Sequence, residues 1–285
     1  MKAIIVIALF LPAVVAAYYS FAPLDPLASF DQAREQTPHA VRTDFHMGYG
    51  YAPGGYDDGG AYHSTDEPTT LIAGIARVGW TFDEIWEADL IVPFANYRAN
   101  GGDAASNGAG DVWLAGKAVW YTKEGGEFRM GPRLAVRFAG KKDAAFSDRN
   151  LAFDLGAVGY WNKRDTHFRL DGQLGFRQDG KSDRFPSPPG LSLYLLADPA
   201  WTLDEEGRWL LGPSAGAYAG VGDVPTNLLW VGGRLQCVID NNSRLEAGLS
   251  QPVVGRSYST GAYSYPVPSY TTVFLGIQAL IPTTW

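Results

Sequence analysis

The amino-acid sequence predicts an all-β protein, a transmembrane, antiparallel up-and-down β-barrel of twelve strands. Three observations support this fold class. Segments in which apolar and polar residues alternate recur at intervals of about twenty residues along the chain. The connections between these segments alternate between short and long, and most of the tryptophans lie at one end of the segments. An even number of strands joined in turn by short turns and long loops is typical of barrels in the bacterial outer membrane.

The N-terminal segment, residues 1–17, has the layout of a secretory signal peptide. Lys2 precedes an apolar run from Ala3 to Leu11, and small residues follow that run. A membrane anchor needs ~20 apolar residues, which is more than this run provides. No cysteine follows for lipid attachment, so we expect export with cleavage. We expect residues 18–42, which are rich in Pro, Asp and Gln and include some apolar residues, to form a periplasmic lead or a plug inside the barrel.

The composition argues against several classes of function. The 285 residues carry 23 Lys and Arg against 30 Asp and Glu, so we expect no nucleic-acid partner. Cys237 is the single cysteine and the four histidines show no metal-ligand spacing, so we expect no internal disulfide, metal site or cofactor. Mean hydropathy is −0.11 although 46% of the residues are apolar. That combination disfavours helical membrane spans and fits strands with one polar face.

Residues 43–285 are expected to form the barrel, and the connections set its orientation. We expect short turns at 82–85, 124–127, 162–165, 204–208 and 240–243, and longer loops at 56–68, 100–111 and 179–190. The short turns would lie on the periplasmic side. The twelve expected strands are 43–53, 69–81, 86–98, 111–123, 128–140, 150–162, 166–178, 191–203, 209–221, 226–239, 244–257 and 270–285.

Side-chain parity divides the segments into two faces. Between Phe128 and Phe138 apolar residues occupy one face, and three arginines lie on the other. The segment His167–Arg177 repeats this pattern. In a membrane barrel the apolar face contacts lipid and the polar face lines the lumen. The charged side chains expected along the lumen and the solute path are Lys117, Arg129, Arg133, Arg137, Asp154, Arg169, Asp171, Arg177 and Arg234.

The tryptophans distinguish a membrane barrel from a soluble β-sandwich, which would also alternate. In a sandwich, indoles would lie in mid-strand within the core. Here seven of the nine lie on the apolar parity beside the short turns or at the C-terminus, where an indole suits the boundary of hydrocarbon and headgroups. We expect Trp113 and Trp230 to point inward. The expected membrane girdle consists of Trp80, Trp86, Trp120, Trp161, Trp201, Trp209 and Trp285.

The last segment indicates how such a barrel would reach its membrane. Residues 273–281 alternate and the chain ends on Trp285, which is similar to the C-terminal aromatic signal read by the outer-membrane insertion machinery. Closing the sheet pairs every strand edge, which matters because an unpaired backbone group in lipid costs several kcal/mol. We therefore expect outer-membrane lipid and the insertion machinery as partners. The oligomeric state is left open.

The stretch from Gly108 to Trp120 resembles a motif of one outer-membrane family: a GxGD sequence, apolar alternation, Lys117 and an aromatic strand end. The next segment, Gly131–Arg137, is similar to that family's following strand. The family is associated with operons for meta-pathway phenol degradation. Where it continues with a Pro-Thr-Gly-like loop, this chain has Ala139–Lys142. The resemblance implies a transporter-like protein for hydrophobic or aromatic compounds. A glycine turn capped by Asp111 would equally account for GxGD.

The charged lining has two interpretations. Adjacent inward charges need partners, so they form an ion-pair network that fills a narrow lumen. Alternatively, the arginines form a cationic wall that favours anionic solutes. A twelve-strand barrel lies between filled eight-strand barrels and open porins, so either an open or a plugged lumen is compatible with the strand number.

We expect a passive outer-membrane channel for small hydrophobic or aromatic solutes and no enzymatic activity. A structural or adhesive barrel without transport is the alternative, and an outer-membrane hydrolase is less favoured. Asp165 and His167 have the residue types of an omptin protease pair, but they fall at a periplasmic turn. His63 and Ser64 are adjacent, so their side chains would diverge, unlike those of an outer-membrane phospholipase.

Overall fold

The computed structural model describes residues 39–57, 59–99, 105–121, 128–138, 151–163, 167–179, 190–221, 227–240, 242–256, 258–260, 263–265 and 267–283. These residues form an all-β fold, and none of their elements is a helix that could cross a membrane. The barrel strands are β1 (Ala40–Tyr56), β2 (Tyr62–Thr81), β3 (Trp86–Ala99), β4 (Ala105–Ala109, Val112–Ala118 and Trp120–Tyr121), β5 (Phe128–Phe138), β6 (Ala152–Lys163), β7 (Phe168–Asp179), β8 (Gly190–Thr202), β9 (Trp209–Val221), β10 (Asn227–Val238), β11 (Ser243–Arg256) and β12 (Thr271–Pro282).

The twelve strands close into one antiparallel barrel. Each strand pairs with the next in sequence, and β12 returns to pair with β1 from Ala40↔Pro282 to Tyr51↔Thr271. The closing pair is as regular as its neighbours, so no strand edge is left open along that seam. The fold class predicted from alternation and connection length is therefore confirmed.

The β1–β2 connection differs from the expected loop at 56–68. The strand β2 begins at Tyr62, because after a register shift between Ala52 and Gly54 the two strands pair again up to Tyr56↔Tyr62. His63 and Ser64 thus lie on a strand. The turn itself is short: the Asp57 Oδ1 atom accepts the backbone N–H groups of Gly59 (2.9 Å) and Ala61 (2.8 Å). The sequence did not predict this extension because residues 62–68 are mostly polar, and they are polar because the extension projects beyond the apolar band of the exterior.

The strand β4 is interrupted where the sequence suggested a single segment from 111 to 123. Its first piece, Ala105–Ala109, pairs with β3 inside the expected loop at 100–111. Gly108 has a φ of 148°, a conformation that favours glycine. The remaining strands begin and end within a few residues of expectation, and β1 begins at Ala40, three residues before the expected 43.

Aspartates close two of the short turns. Asp83 Oδ1 accepts the N–H groups of Ile85 and Trp86, both at 2.7 Å, and these bonds lower its pKa. Asp204 accepts the N–H groups of Trp209 (2.8 Å) and Arg208 (3.1 Å), with the same effect on its pKa. In both cases the strand that follows the turn begins with a tryptophan.

The two faces of the barrel differ sharply. Apolar side chains cover the exterior, where Leu134, Leu155 and Leu275 are more than half exposed, whereas charged side chains on the interior are buried. Trp113 and Trp230 point inward and are 3% and 2% exposed. Six of the predicted girdle residues lie outward at the short-turn rim, 39–57% exposed: Trp80, Trp86, Trp120, Trp161, Trp201 and Trp209. Trp285, the predicted signal peptide at 1–17 and residues 18–38 of the predicted lead lie outside the described residues.

Candidate functional site: the lining of the barrel

Charged residues of β1–β4 form one cluster near the short-turn rim. The Arg42 Nη2 atom lies 2.6 Å from Glu87 Oε1 and 3.2 Å from Asp89 Oδ1, although Glu87 and Asp89 are two strands away on β3. Lys117 Nζ approaches the same Glu87 oxygen at 3.1 Å. Asp44 lies between Arg42 (3.3 Å) and Arg77 (3.5 Å). Three cations and three carboxylates therefore neutralise one another within this cluster.

A second cluster occupies the opposite side at a similar height. Arg169 Nε pairs with Asp171 Oδ2 at 2.9 Å, and Arg234 reaches the same oxygen at 3.7 Å from three strands away. Arg234 also lies 3.8 Å from Glu246. Glu246 pairs in turn with His46 Nε2 at 3.1 Å, which links β11 to β1 across the closing seam.

A third group, centred on β5–β8, lies nearer the middle of the barrel. Arg133 Nη2 donates to Asp154 Oδ1 at 3.1 Å, and Nη1 donates to Gln173 at 2.8 Å. Tyr194 OH donates to the same Asp154 oxygen at 2.8 Å and accepts a bond from Arg133. Arg177 Nε lies 3.5 Å from the second Asp154 oxygen. Asp154, 0% exposed, is thus approached by two arginines and a phenol.

Two of the arginines stack on an inward tryptophan. The guanidinium carbon atoms of Arg137 and Arg177 lie 5.5 Å and 5.1 Å from the ring centroid of Trp113, within cation–π range. Arg137 also lies 3.7 Å from Asp111. With Arg133, these side chains carry positive charge from the middle of the barrel toward the long-loop rim, and we call them the arginine wall (Arg133, Arg137 and Arg177).

The lining beside the arginine wall becomes apolar toward the long loops. On β2–β4 and β12 it includes Leu71, Ile75, Ile91 and Phe274, which form one buried cluster with Trp113. A second cluster on β8–β10 contains Tyr194, Leu196, Tyr218, Leu228 and Trp230. The barrel therefore has a charged belt near the short-turn rim and an apolar inner surface above it, except along β5–β7.

Inward glycines allow these contacts between non-adjacent strands. Gly276 lies opposite both His46 and Glu246, and a Cβ atom there would collide with the His46 ring and approach Glu246 Cγ to 2.8 Å. At Gly156 a Cβ atom would lie 2.7 Å from the Tyr194 hydroxyl. The high glycine content thus has a structural reason. Because these glycines have no side chain, long side chains can extend over them along the inner surface and contact residues of non-adjacent strands.

The nine charged residues predicted for the lumen all lie inward and are buried. The structure brings eight of them into the clusters and the arginine wall described above, while Arg129 lies opposite Tyr160 of the neighbouring strand β6 and has interactions of its own. Parity analysis did not identify the apolar lining or Tyr194 as a partner of Asp154. Among the described residues no group of three His, Cys, Asp or Glu side chains could hold a metal ion.

The fold resembles solved outer-membrane channels. The crystal structure of the COG4313 outer membrane channel from Pseudomonas putida F1 matches with a TM-score of 0.71 and 13% identity, covering 89% of this chain and 99% of that one. The NanC porin matches with a TM-score of 0.52 and 8% identity, covering 83% and 98%. At these identities the likeness establishes the fold alone: a closed twelve-strand antiparallel β-barrel of the transmembrane up-and-down kind. No family model and no curated protein matches the sequence. Membership in the phenol-associated family therefore stays a prediction.

Proposed function

We propose that this protein is a bacterial outer-membrane channel through which small apolar or aromatic solutes diffuse passively. The observation that supports this most strongly is the apolar inner surface toward the long-loop rim, formed by the two buried clusters around Phe274 and Trp230. An apolar solute gains free energy by leaving water for such a surface.

Along the proposed path, the charged belt near the short-turn rim follows the apolar inner surface. Its carboxylates and cations lie within 4.0 Å of one another, so most of the charge is neutralised locally, which supports the ion-pair interpretation for that belt. The arginine wall differs in its position, because it extends from the middle of the barrel toward the long-loop rim and two of its guanidinium groups stack on Trp113. We infer that the wall gives the path a residual positive potential and favours anionic over cationic solutes.

Uptake into proteoliposomes tests the channel. We expect vesicles containing the refolded protein to admit small polar aromatic compounds, such as benzoate, faster than protein-free vesicles and faster than sugars of similar mass. A barrel without transport is the second candidate, because the inward side chains are so extensively buried. Folded protein in the vesicles with no flux of any solute would support that candidate and contradict the channel.

A further inference from the structure

Among the buried polar atoms of β8–β10 that make no hydrogen bond, three lie on neighbouring inward rows of the wall. They are the indole nitrogen of Trp230, the hydroxyl oxygen of Ser214 and the Oδ1 atom of Asp198. The residues are 2%, 2% and 6% exposed. Buried polar groups are almost always paired, and an unpaired one indicates a missing partner such as a water molecule or a ligand.

The register brings these three groups together. Ser214 lies opposite Gly232, and Trp230 lies opposite Gly216, one inward position further along the same two strands. On the other side of β9, Ala197 pairs with Ala215, so the next residue of β8, Asp198, faces Ser214. The three polar atoms therefore line two successive inward rows on neighbouring strands.

Apolar side chains border the polar atoms on the long-loop side. The Trp230 indole lies over Gly216 and against Leu196, since a Cβ atom at Gly216 would collide with both. Tyr194 and Tyr218 complete this cluster, with ring centroids 6.2 Å apart. Apolar area of this kind suits a ring-sized body, and it begins beside the unpaired atoms.

The wall around Ser214 is also thin. Its inward neighbours along β9 are Gly212 and Gly216, and its partner on β10 is Gly232, so three adjacent positions have no side chain. A polar group that approaches Ser214 from the lumen meets no side chain of residue 212 or 232, whereas the Trp230 indole lies over Gly216.

The geometry points to a binding site at Trp230, Ser214 and Asp198 for a small neutral compound with a ring-sized apolar body and one hydroxyl group. The Trp230 N–H can only donate, the Asp198 carboxylate oxygen can only accept, and the Ser214 hydroxyl can do either. A ligand hydroxyl accepts one bond and donates another, so it complements this set, whereas a hydrocarbon would leave all three atoms unpaired. The inference rests on the proposed channel, because the site would lie on the solute path.

Ligand-observed ¹⁹F NMR with the detergent-solubilised full chain tests the site. The two probes are 4-fluorobenzyl alcohol and 4-fluorotoluene, which differ in the hydroxyl group, with protein-free micelles as the reference for detergent partitioning. We expect the alcohol to bind at least fivefold more tightly than the toluene. In Trp230→Phe, which keeps an aromatic ring, and in Ser214→Ala, this preference should fall to less than twofold.

Thr272→Val is the matched control. Thr272 is buried and its hydroxyl is likewise unpaired, but it lies on β12, two strands from Gly232 through Ser250. The control should keep the preference for the alcohol. Equal binding of the two probes to the native protein would overturn the site and indicate that water alone pairs these atoms. Loss of the preference in Thr272→Val alone would also overturn the site. Vesicle uptake is measured separately, so a barrel that binds the alcohol but passes no solute would refute the channel and leave the site intact.

Discussion

Arg133 and Asp154 form a buried ion pair at 3.1 Å in the middle of the barrel wall, on the adjacent strands β5 and β6. Tyr194 on β8 donates to the same carboxylate, so one acidic group joins side chains from strands that are not neighbours. These contacts connect the strands β5, β6 and β8 across the interior of the barrel. The same contacts explain how the Asp154 charge can be buried, since a buried charge without partners would be strongly destabilising.

Removing Arg133 should therefore destabilise the barrel. We expect Arg133→Gln to lower the free energy of unfolding by about 3–5 kcal/mol, because the Asp154 charge would remain buried with a weaker partner. Urea unfolding in lipid vesicles, followed by tryptophan fluorescence, measures the change. Arg208→Gln is the control: its ion pair with Glu206 is exposed, and exposed pairs contribute roughly 0–1 kcal/mol. Equal stability of the two variants would argue against the buried pair.

Arg137 should influence selectivity more than stability. It stacks on Trp113 and lies 3.7 Å from Asp111, so Arg137→Gln removes positive charge from the arginine wall while the carboxylate stays. We expect the reversal potential in a planar bilayer under a salt gradient to shift toward cation preference. An unchanged reversal potential together with lower thermal stability would mean that the arginine only pairs charges.

The inward glycines should tolerate no side chain where an aromatic ring crosses them. Gly175→Ala should destabilise the barrel by about 1–3 kcal/mol, because the new methyl group would collide with the Tyr194 ring and push its hydroxyl away from Asp154. The control is Gly159→Ala on the outward face of β6, where a Cβ atom would have only the Arg129 carbonyl oxygen nearby, at 3.9 Å. Parallel urea titrations compare the two, and a control that is as damaging as Gly175→Ala would refute the steric explanation.

The β1–β2 turn should loosen in acid. The Asp57 carboxylate accepts bonds from His63 (2.6 Å), Ala61 and Gly59, and these, the His63 bond first, lower its pKa below the ordinary value of 3.8. A lowered pKa means that the charged form is favoured in the folded turn, so its contribution is present above pH 3.8 and is lost as the pH falls through the lower folded value.

Hydrogen exchange at the Gly59 and Ala61 amides measures this effect. We expect protection, corrected for the intrinsic pH dependence of exchange, to decrease below pH 3.8 in the native protein. Asp57→Asn should show no such step, since an amide does not titrate in this range. The same step in both proteins would assign the change to another group.

Sequence reasoning recovered the strands and the charged lining because both depend on a strict two-residue period. Arg133 and Asp154 stand out as charges on an otherwise apolar strand pattern. The apolar lining escaped notice because around Leu71 and Ile75 both faces of β2 are apolar, so parity carries no signal there. Tyr194 was missed for a different reason. Its contact with Arg133 spans three strands, and it depends on curvature and on the space above Gly175 and Gly156.

In a channel of this kind, lipid contacts the outward face of β5 and the solute path follows its inward face. Leu134 is 54% exposed on the outside and Arg137 lies inside, three residues further along the strand. The most direct measurement is single-channel conductance in planar bilayers during treatment with a small, water-soluble, charged thiosulfonate, using Leu134→Cys and Arg137→Cys in a Cys237→Ser background. We predict that the reagent changes the conductance of Arg137→Cys and leaves Leu134→Cys unaffected. Modification of Leu134→Cys at the same rate, with no change of conductance in Arg137→Cys, would contradict the assignment.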